Sequence, residues 1–136
     1  MTEDELYMQR CFELAQLGVG SVSPNPKVGC VIVKHGQIIG EGWHQKYGEA
    51  HAEVNAVTAV TDPSQLIGST VYVNLEPCSH TGKTPPCVDL LIKHRVKKVV
   101  ISTPDSNPLV SGNGIEKLKQ AGVEVLTGIL LQKGRL

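Results

Sequence analysis

The stretch TVYVNLEPCSHTGKTPPCVDLLIKHRVKKVVIST, residues 70–103, contains a strand, a helix and a second strand in succession. Residues 70–75 and 97–103 are short apolar runs typical of buried strands. In residues 87–94 the apolar side chains recur at helical spacing directly after two prolines, where helices often begin. A strand–helix–strand order predicts parallel strands with the helix packed on their sheet. We therefore expect an α/β fold.

The segments on either side extend this pattern. A hairpin about the turn KHGQ precedes it, and a further helix and strand follow it. Because alternating helices and strands follow the hairpin, we expect a partly parallel sheet of five strands that is covered by helices on both faces. The additional predicted elements are helices at 4–17, 51–60 and 115–121 and strands at 28–33, 38–43 and 123–128.

Composition indicates one ordinary globular domain. The chain has 136 residues, of which 40% are hydrophobic and 19% charged. Thirteen basic residues balance thirteen acidic ones, which argues against a nucleic-acid partner. The sequence contains no apolar run long enough to cross a bilayer, and its start, MTEDELYMQR, is unlike a signal peptide. We therefore expect a cytoplasmic protein whose four cysteines are thiols or metal ligands.

Several polar residues are predicted to meet at one edge of the sheet. In open α/β sheets, ligands bind beyond the carboxyl ends of the strands. The loops after strands 70–75 and 97–103 leave the sheet there, and His51 begins the helix that follows strand 38–43. Residues far apart in the sequence are thus expected to lie close together in space.

His51, Cys78 and Cys87 are the residues at this edge that suit a metal. Imidazole and thiolate are ligands that zinc prefers, and three protein ligands leave a fourth position for water. The candidates for a fourth ligand are poor, because Cys30 lies within a strand, Cys11 within a helix and His80 between two other ligands. Three ligands with an open position predict a catalytic zinc, and a structural zinc is the alternative.

Glu53 gives this site a proton carrier. Two thiolates cancel the zinc charge, so the metal acidifies its water less than a site of three neutral histidines would. A neighbouring carboxylate can then take and return the proton. Taken alone, Glu53 would be a first-turn glutamate that complements the helix dipole, and His51 would be a helix-start residue. Their occurrence together with the two cysteines favours the catalytic interpretation.

The order H-x-E, then P-C, then a second cysteine matches the signature of zinc nucleobase deaminases. Their usual motif is P-C-x-x-C, whereas eight residues, SHTGKTPP, separate Cys78 from Cys87 here. From about residue 6 to 128 the chain resembles the deaminase domain of the riboflavin-biosynthesis deaminase/reductase family. The segments that carry this resemblance are SPNPKVGCVIV, GEGWHQKYGEAHAEVNA, LEPCSHTGKTPPC and NPLVSGNG.

The resemblance implies a three-layer α/β/α sandwich of the cytidine-deaminase type. It implies hydrolytic removal of an amino group from 2,5-diamino-6-ribosylamino-4(3H)-pyrimidinone 5′-phosphate, with zinc as the cofactor. Glu53 would be the proton shuttle, and the zinc ligands would be His51, Cys78 and Cys87. The positions that match the family's substrate-binding residues are Asn25, His44, Lys83, Asp105 and Asn107.

Lys83 is the preferred phosphate partner, because its ammonium is a mobile point charge. Taken singly, Lys83 and His44 would be solvated loop residues, and Asn25, Asp105 and Asn107 would be turn formers. Ser106 stands where the family usually has proline, so we expect a looser loop there.

Residues 1–136 are expected to form a single deaminase domain, without the reductase domain of the bifunctional family members and without a G-x-G-x-x-G motif. The chain is then either a deaminase-only protein or a truncated bifunctional one, and the family suggests a homo-oligomer. A deaminase of another base (cytosine, dCMP or guanine) is an alternative. Two features argue against it: the long spacing between Cys78 and Cys87, and the presence of Lys83. A non-catalytic zinc-stabilised binding module is a second alternative, which would have no use for Glu53.

Overall fold

The computed structural model describes residues 2–18, 27–45, 51–75, 77, 87–103 and 113–129. None of the helices in these ranges is long and apolar enough to cross a membrane. Every predicted helix and strand is confirmed, with bounds that differ by at most two residues from the prediction. In chain order, the elements are α1 (Glu3–Gln16), β1 (Gly29–Lys34), β2 (Gln37–Trp43), α2 (Ala52–Ala59), β3 (Thr70–Leu75), α3 (Cys87–Lys93), β4 (Lys98–Thr103), α4 (Asn113–Gln120) and β5 (Glu124–Thr127).

One additional element lies in a segment predicted as loop. Pro63–Leu66 forms a single 3-10 turn, which begins after Asp62. The Asp62 carboxylate accepts a hydrogen bond from the backbone N–H of Ser64 at 3.1 Å, and Pro63 presets the backbone for a helical turn. A four-residue turn of this kind is too short to show the apolar periodicity that reveals longer helices.

The five strands form one mixed sheet in the order β2-β1-β3-β4-β5. β1 pairs antiparallel with both β2 and β3, whereas β3, β4 and β5 are parallel to one another. Since β1 reverses direction between its two neighbours, β2 runs the same way as β3 and β4. The turn between β1 and β2 places His35 and Gly36 at positive φ, 51° and 73°, as a tight hairpin requires.

Helices cover both faces of this sheet, as predicted. α2, α3 and α4 pack on one face against alternate strand residues such as Ile32, Val73 and Ile101. α1 packs on the other face, where Met8 and Leu14 meet Val31, Tyr72 and Val100. The molecule is thus a three-layer α/β/α sandwich with an apolar core on each side of the sheet.

Glycines allow two of the helices to lie directly on the sheet. A Cβ atom at Gly42 would be 2.4 Å from the backbone nitrogen of Ala56 and 2.6 Å from the carbonyl oxygen of Ala52. At Gly29 a Cβ atom would be 2.1 Å from the carbonyl oxygen of Cys11, in α1. Because β2 carries no side chain at Gly42, α2 lies against the strand backbone and its first turn is held beside the end of β2.

Candidate active site

The carboxyl ends of three strands lie along one edge of the sheet, which we call the site edge. β2 ends at Trp43, β3 at Leu75 and β4 at Thr103, and all three strands run in the same direction. The carboxyl ends of the three strands therefore share one edge, as predicted, while the loops that follow β3 and β4 lie almost entirely outside the described residues.

His51 and Cys87 meet at this edge although they are 36 residues apart in the sequence. His51 caps the backbone start of α2, and Cys87 is the first residue of α3. The Nδ1 atom of His51 lies 3.3 Å from the Sγ atom of Cys87, whose side chain is buried. Two of the three predicted zinc ligands are thus brought together, while Cys78 lies outside the described residues.

No group of three histidine, cysteine, aspartate or glutamate side chains that could hold a metal occurs in the described part of the chain. The pair formed by His51 and Cys87 still fits zinc in its chemistry and its spacing. With Zn–N near 2.0–2.1 Å and Zn–S near 2.3 Å, a tetrahedral site separates these two atoms by roughly 3.5 Å. The observed 3.3 Å is close to that separation.

Glu53 is buried at the same place, with 4% of its surface exposed. It lies in the first turn of α2, two residues after His51, where the helix dipole favours a negative charge. Burial raises the pKa of the Cys30 thiol, and the Glu53 carboxylate raises it further. Cys30 is therefore a neutral core thiol, as expected from its place within a strand.

His44 follows β2, and its ring lies near His51, one of the predicted ligands. Its backbone N–H donates to the carbonyl oxygen of Val28 at 3.0 Å, and the residue is 4% exposed. The rings of His44 and His51 are 5.4 Å apart between centroids and inclined by 66°. A residue predicted to bind substrate thus lies beside a residue predicted to bind zinc.

Two asparagines at this edge were missed by the sequence reasoning. The Asn55 side chain, on α2, donates to the carbonyl oxygen of Trp43 at 2.8 Å. The Asn74 side chain, on β3, accepts from the N–H of Gly29 at 2.8 Å and donates to the carbonyl oxygen of Lys27 at 3.1 Å. The available signal was an asparagine in the otherwise apolar strand TVYVNL, because strands are depleted in asparagine.

The other predicted site residues lie outside the described ranges, and their roles stay predictions. They follow or precede elements that end at the site edge, since β3 ends at Leu75 and β4 at Thr103. These residues are Asn25, Cys78, Lys83, Asp105 and Asn107, together with His80 and Ser106.

The family of the chain is shown by its sequence. Residues 1–103 match the family described as the cytidine and deoxycytidylate deaminase zinc-binding region. The chain therefore belongs to the cytidine and deoxycytidylate deaminase family, in agreement with the sandwich fold and the H-x-E motif at His51 and Glu53.

Relatives at about half identity narrow this assignment. The chain is similar to the diaminohydroxyphosphoribosylamino-pyrimidine deaminase of Buchnera aphidicola subsp. Schizaphis graminum, with 48% identity over 98% of this chain and 89% of that protein. It is 51% identical to the riboflavin biosynthesis protein RibD of Escherichia coli over 96% of this chain and 35% of that protein. The chain is a hydrolytic deaminase of the riboflavin-biosynthesis type.

Solved structures agree with this assignment and with the cytidine-deaminase-like fold. Acinetobacter baumannii RibD, form 2, superposes with a TM-score of 0.93 at 53% identity, over 96% of this chain and 36% of that one. The chain thus spans about a third of the RibD proteins but most of the Buchnera deaminase.

Proposed function

We propose that this chain hydrolyses 2,5-diamino-6-ribosylamino-4(3H)-pyrimidinone 5′-phosphate to 5-amino-6-(5-phosphoribosylamino)uracil and ammonia. The observation that carries the proposal is the contact between His51 and Cys87, 3.3 Å apart, with the buried carboxylate of Glu53 two residues from His51. Deaminases named for this pyrimidine are about half identical to the chain, which supports this substrate over other bases.

The metal in this proposal is zinc, held by His51, Cys87 and Cys78. A neutral imidazole and two thiolates form a donor set that zinc prefers, and the family is described as a zinc-binding region. When bound, zinc would act as a Lewis acid that activates a water molecule for attack on the carbon bearing the amino group. Both described ligands begin helices, whose N-terminal backbone N–H groups favour a thiolate such as that of Cys87.

Glu53 moves the protons in this reaction. Its carboxylate takes one proton from the attacking water and delivers it to the ring nitrogen. It then takes the second proton of that water, from the new hydroxyl group on the attacked carbon, and delivers it to the departing amine, so that the C–N bond breaks, ammonia leaves and a carbonyl forms. Burial supports this role, because bulk water is largely excluded from a carboxylate that is 4% exposed. The position of Glu53 in the first turn of α2 holds it beside His51.

His44 binds the substrate in this proposal, together with the predicted residues Asn25, Lys83, Asp105 and Asn107. The His44 ring lies beside His51, and it is held by the pairing of its N–H with Val28. Lys83, which lies between the two cysteine ligands in the sequence, supplies a positive charge for the substrate phosphate.

We further propose that residues 1–136 form one deaminase domain that acts as a homo-oligomer in the cytoplasm. Its partners are small phosphorylated pyrimidines rather than nucleic acid or membranes, consistent with a net charge of zero. A further proposed partner is a reductase domain, separate or truncated; the RibD relatives are about three times as long as the region that matches this chain.

Ammonia release tests this function directly. The purified chain is incubated with the diaminopyrimidinone ribotide, with dCMP and with cytidine at equal concentrations, and zinc is measured on the same sample. We expect ammonia from the ribotide alone and about one zinc per chain. Ammonia release from dCMP or cytidine but not from the ribotide would show that the proposed substrate is wrong. Bound zinc without turnover of any of the three compounds would indicate a binding module.

A further inference from the structure

The backbone hydrogen bonding between β1 and β3 ends at the site edge, and the Asn74 side chain connects the two segments beyond that point. Their backbone pairing ends at Cys30 and Val73, although β1 continues to pair with β2 as far as Gly29. Beyond that point the side-chain amide of Asn74 makes the hydrogen bonds in place of the β3 backbone. It accepts from the N–H of Gly29 at 2.8 Å and donates to the carbonyl oxygen of Lys27 at 3.1 Å. One side chain thus satisfies two backbone groups of the neighbouring segment.

Val28, which lies between Lys27 and Gly29, binds the backbone of His44. The carbonyl oxygen of Val28 accepts from the N–H of His44 at 3.0 Å. The other polar group of the same peptide bond, the carbonyl oxygen of Trp43, accepts from the Asn55 side chain at 2.8 Å. Both polar atoms of the Trp43–His44 peptide are therefore held. Asn55 binds its carbonyl oxygen directly, and Asn74 acts on its N–H indirectly, by holding the segment that contains Val28.

We propose that Asn74 and Asn55 are positioning residues that fix the Trp43–His44 peptide and thereby hold the His44 ring against the substrate. This inference rests on the proposed function, because it assigns these residues to the same reaction. Neither asparagine needs to touch the substrate. Fixing this peptide limits movement of the backbone from which the His44 side chain projects, so that less freedom is lost when substrate binds.

The effect should appear in substrate binding rather than in chemistry. The hydrogen bonds of Asn74 go to Gly29 and Lys27, and not to Glu53, His51 or Cys87. Asn74→Ala is therefore expected to raise KM on the order of fivefold to tenfold, with kcat and zinc content nearly unchanged. Asn74→Asp keeps the acceptor for the N–H of Gly29 and loses the donor to Lys27, so it should restore part of the affinity.

A double-mutant cycle tests whether Asn74 acts through His44. KM is measured for the wild type, Asn74→Ala, His44→Ala and the double variant, where the second substitution should add little to the effect of His44→Ala. Ser69→Ala is the matched control, since its hydroxyl donates to the carbonyl oxygen of Leu66 at 2.7 Å just before the opposite end of β3. That control should lower Tm and leave KM unchanged.

An equal rise in KM with and without His44, or no rise at all, would overturn the proposal. Amide hydrogen exchange at His44 provides a readout that needs no turnover, and Asn74→Ala should accelerate it on the order of tenfold while the amides of Val31 and Val33 keep their rates. If the wild type fails to deaminate the ribotide, the proposed function fails. The exchange at His44 then still decides whether Asn74 fixes that peptide, and an unchanged rate would contradict it.

Discussion

The two ends of the sheet differ in the burial and the hydrogen bonding of their polar side chains. At the site edge, His44 and Glu53 are each only 4% exposed, the His44 ring lies beside that of His51, and His51 contacts Cys87. At the opposite end, which we call the turn edge, the hydroxyl of Tyr7 donates to the carbonyl oxygen of Gly36 at 3.1 Å. Close by, the hydroxyl of Tyr72 donates to the Asp4 carboxylate at 2.6 Å, and the two tyrosine rings are 5.1 Å apart.

The polar groups of the turn edge tie neighbouring elements together. Tyr7 joins α1 to the hairpin turn, and Tyr72 joins β3 to the first turn of α1. A cavity of about 270 Å³ lies there, lined by these tyrosines and by flexible side chains such as those of Lys34 and Lys97. Hydrogen bonds of this kind each stabilise the fold by about 1 kcal/mol.

The site edge contains hydrogen bonds of this kind as well, from Asn74 and Asn55, but it also buries the carboxylate of Glu53, and removing a carboxylate from water costs folding free energy. The difference between the two ends indicates which part of the molecule serves stability and which part serves chemistry. Substitutions of the ionisable side chains at the site edge should therefore change turnover more than stability, and substitutions at the turn edge should do the reverse.

Glu53→Gln should produce the largest effect. Glutamine keeps the shape of the side chain but cannot carry the proton, so we expect kcat to fall roughly 10²–10⁴-fold. Since glutamine fills the same buried position and Glu53 is not a proposed zinc ligand, Tm and zinc content should change little. Ammonia release, thermal unfolding and metal analysis on one preparation check this. If Glu53→Gln kept the wild-type turnover, Glu53 would not be the proton carrier.

Gly42→Ala should affect both stability and activity. The new methyl group would meet the α2 backbone at 2.4 Å, so α2 must move away from β2 and carry Glu53 with it. We expect a loss of about 3 kcal/mol or more in the free energy of unfolding and a lower kcat in the protein that remains folded. Urea unfolding combined with kinetics measures the two effects.

Gly36→Ala is the matched control at the turn edge of the same hairpin. A Cβ atom there meets nothing within 4 Å, but φ is +73°. The expected cost is about 1–2 kcal/mol of stability from backbone strain alone, with kcat and KM unchanged. Equal losses of activity in both glycine variants would contradict the division between the two ends.

Tyr72→Phe should have the smallest effect, confined to stability and dependent on pH. It removes the hydrogen bond to Asp4, for an expected loss of about 1 kcal/mol at pH 7 without a change in turnover. Burial and the Asp4 carboxylate raise the pKa of Tyr72, so the folded state favours the neutral hydroxyl. This contribution is present below the unfolded-state pKa of about 10 and is lost as the pH rises above it.

The check is thermal unfolding at pH 7 and above pH 10. The wild type should lose more Tm than Tyr72→Phe over this interval, so that the two curves converge at high pH. The buried thiols of Cys11 and Cys30, whose pKa values are also raised, lower the stability of both proteins alike in alkaline solution. A constant difference in Tm across the interval would show that Tyr72 does not titrate as expected.

Much of the fold follows from local sequence patterns. The strand at Thr70–Leu75 was predicted with its observed bounds, because turn residues flank a short apolar run. The helix Asn113–Gln120 begins two residues before the predicted start, since Asn113 and Gly114 are polar or small and do not extend the apolar pattern. The antiparallel pairing of β1 with β3 was not predicted, because it joins strands that are distant in the sequence.

By itself, the sequence determined the α/β architecture and the candidate chemistry, since the motifs around His51, Glu53 and the two cysteines identify residue types that suit zinc and proton transfer. Only the tertiary structure decided that His51 and Cys87 lie 3.3 Å apart, that Gly42 seats α2 on β2, and that Asn74 and Asn55 hold the peptide before His44. The physical reason is that periodicity reports which face of an element is buried, whereas contacts between distant segments depend on how the layers pack.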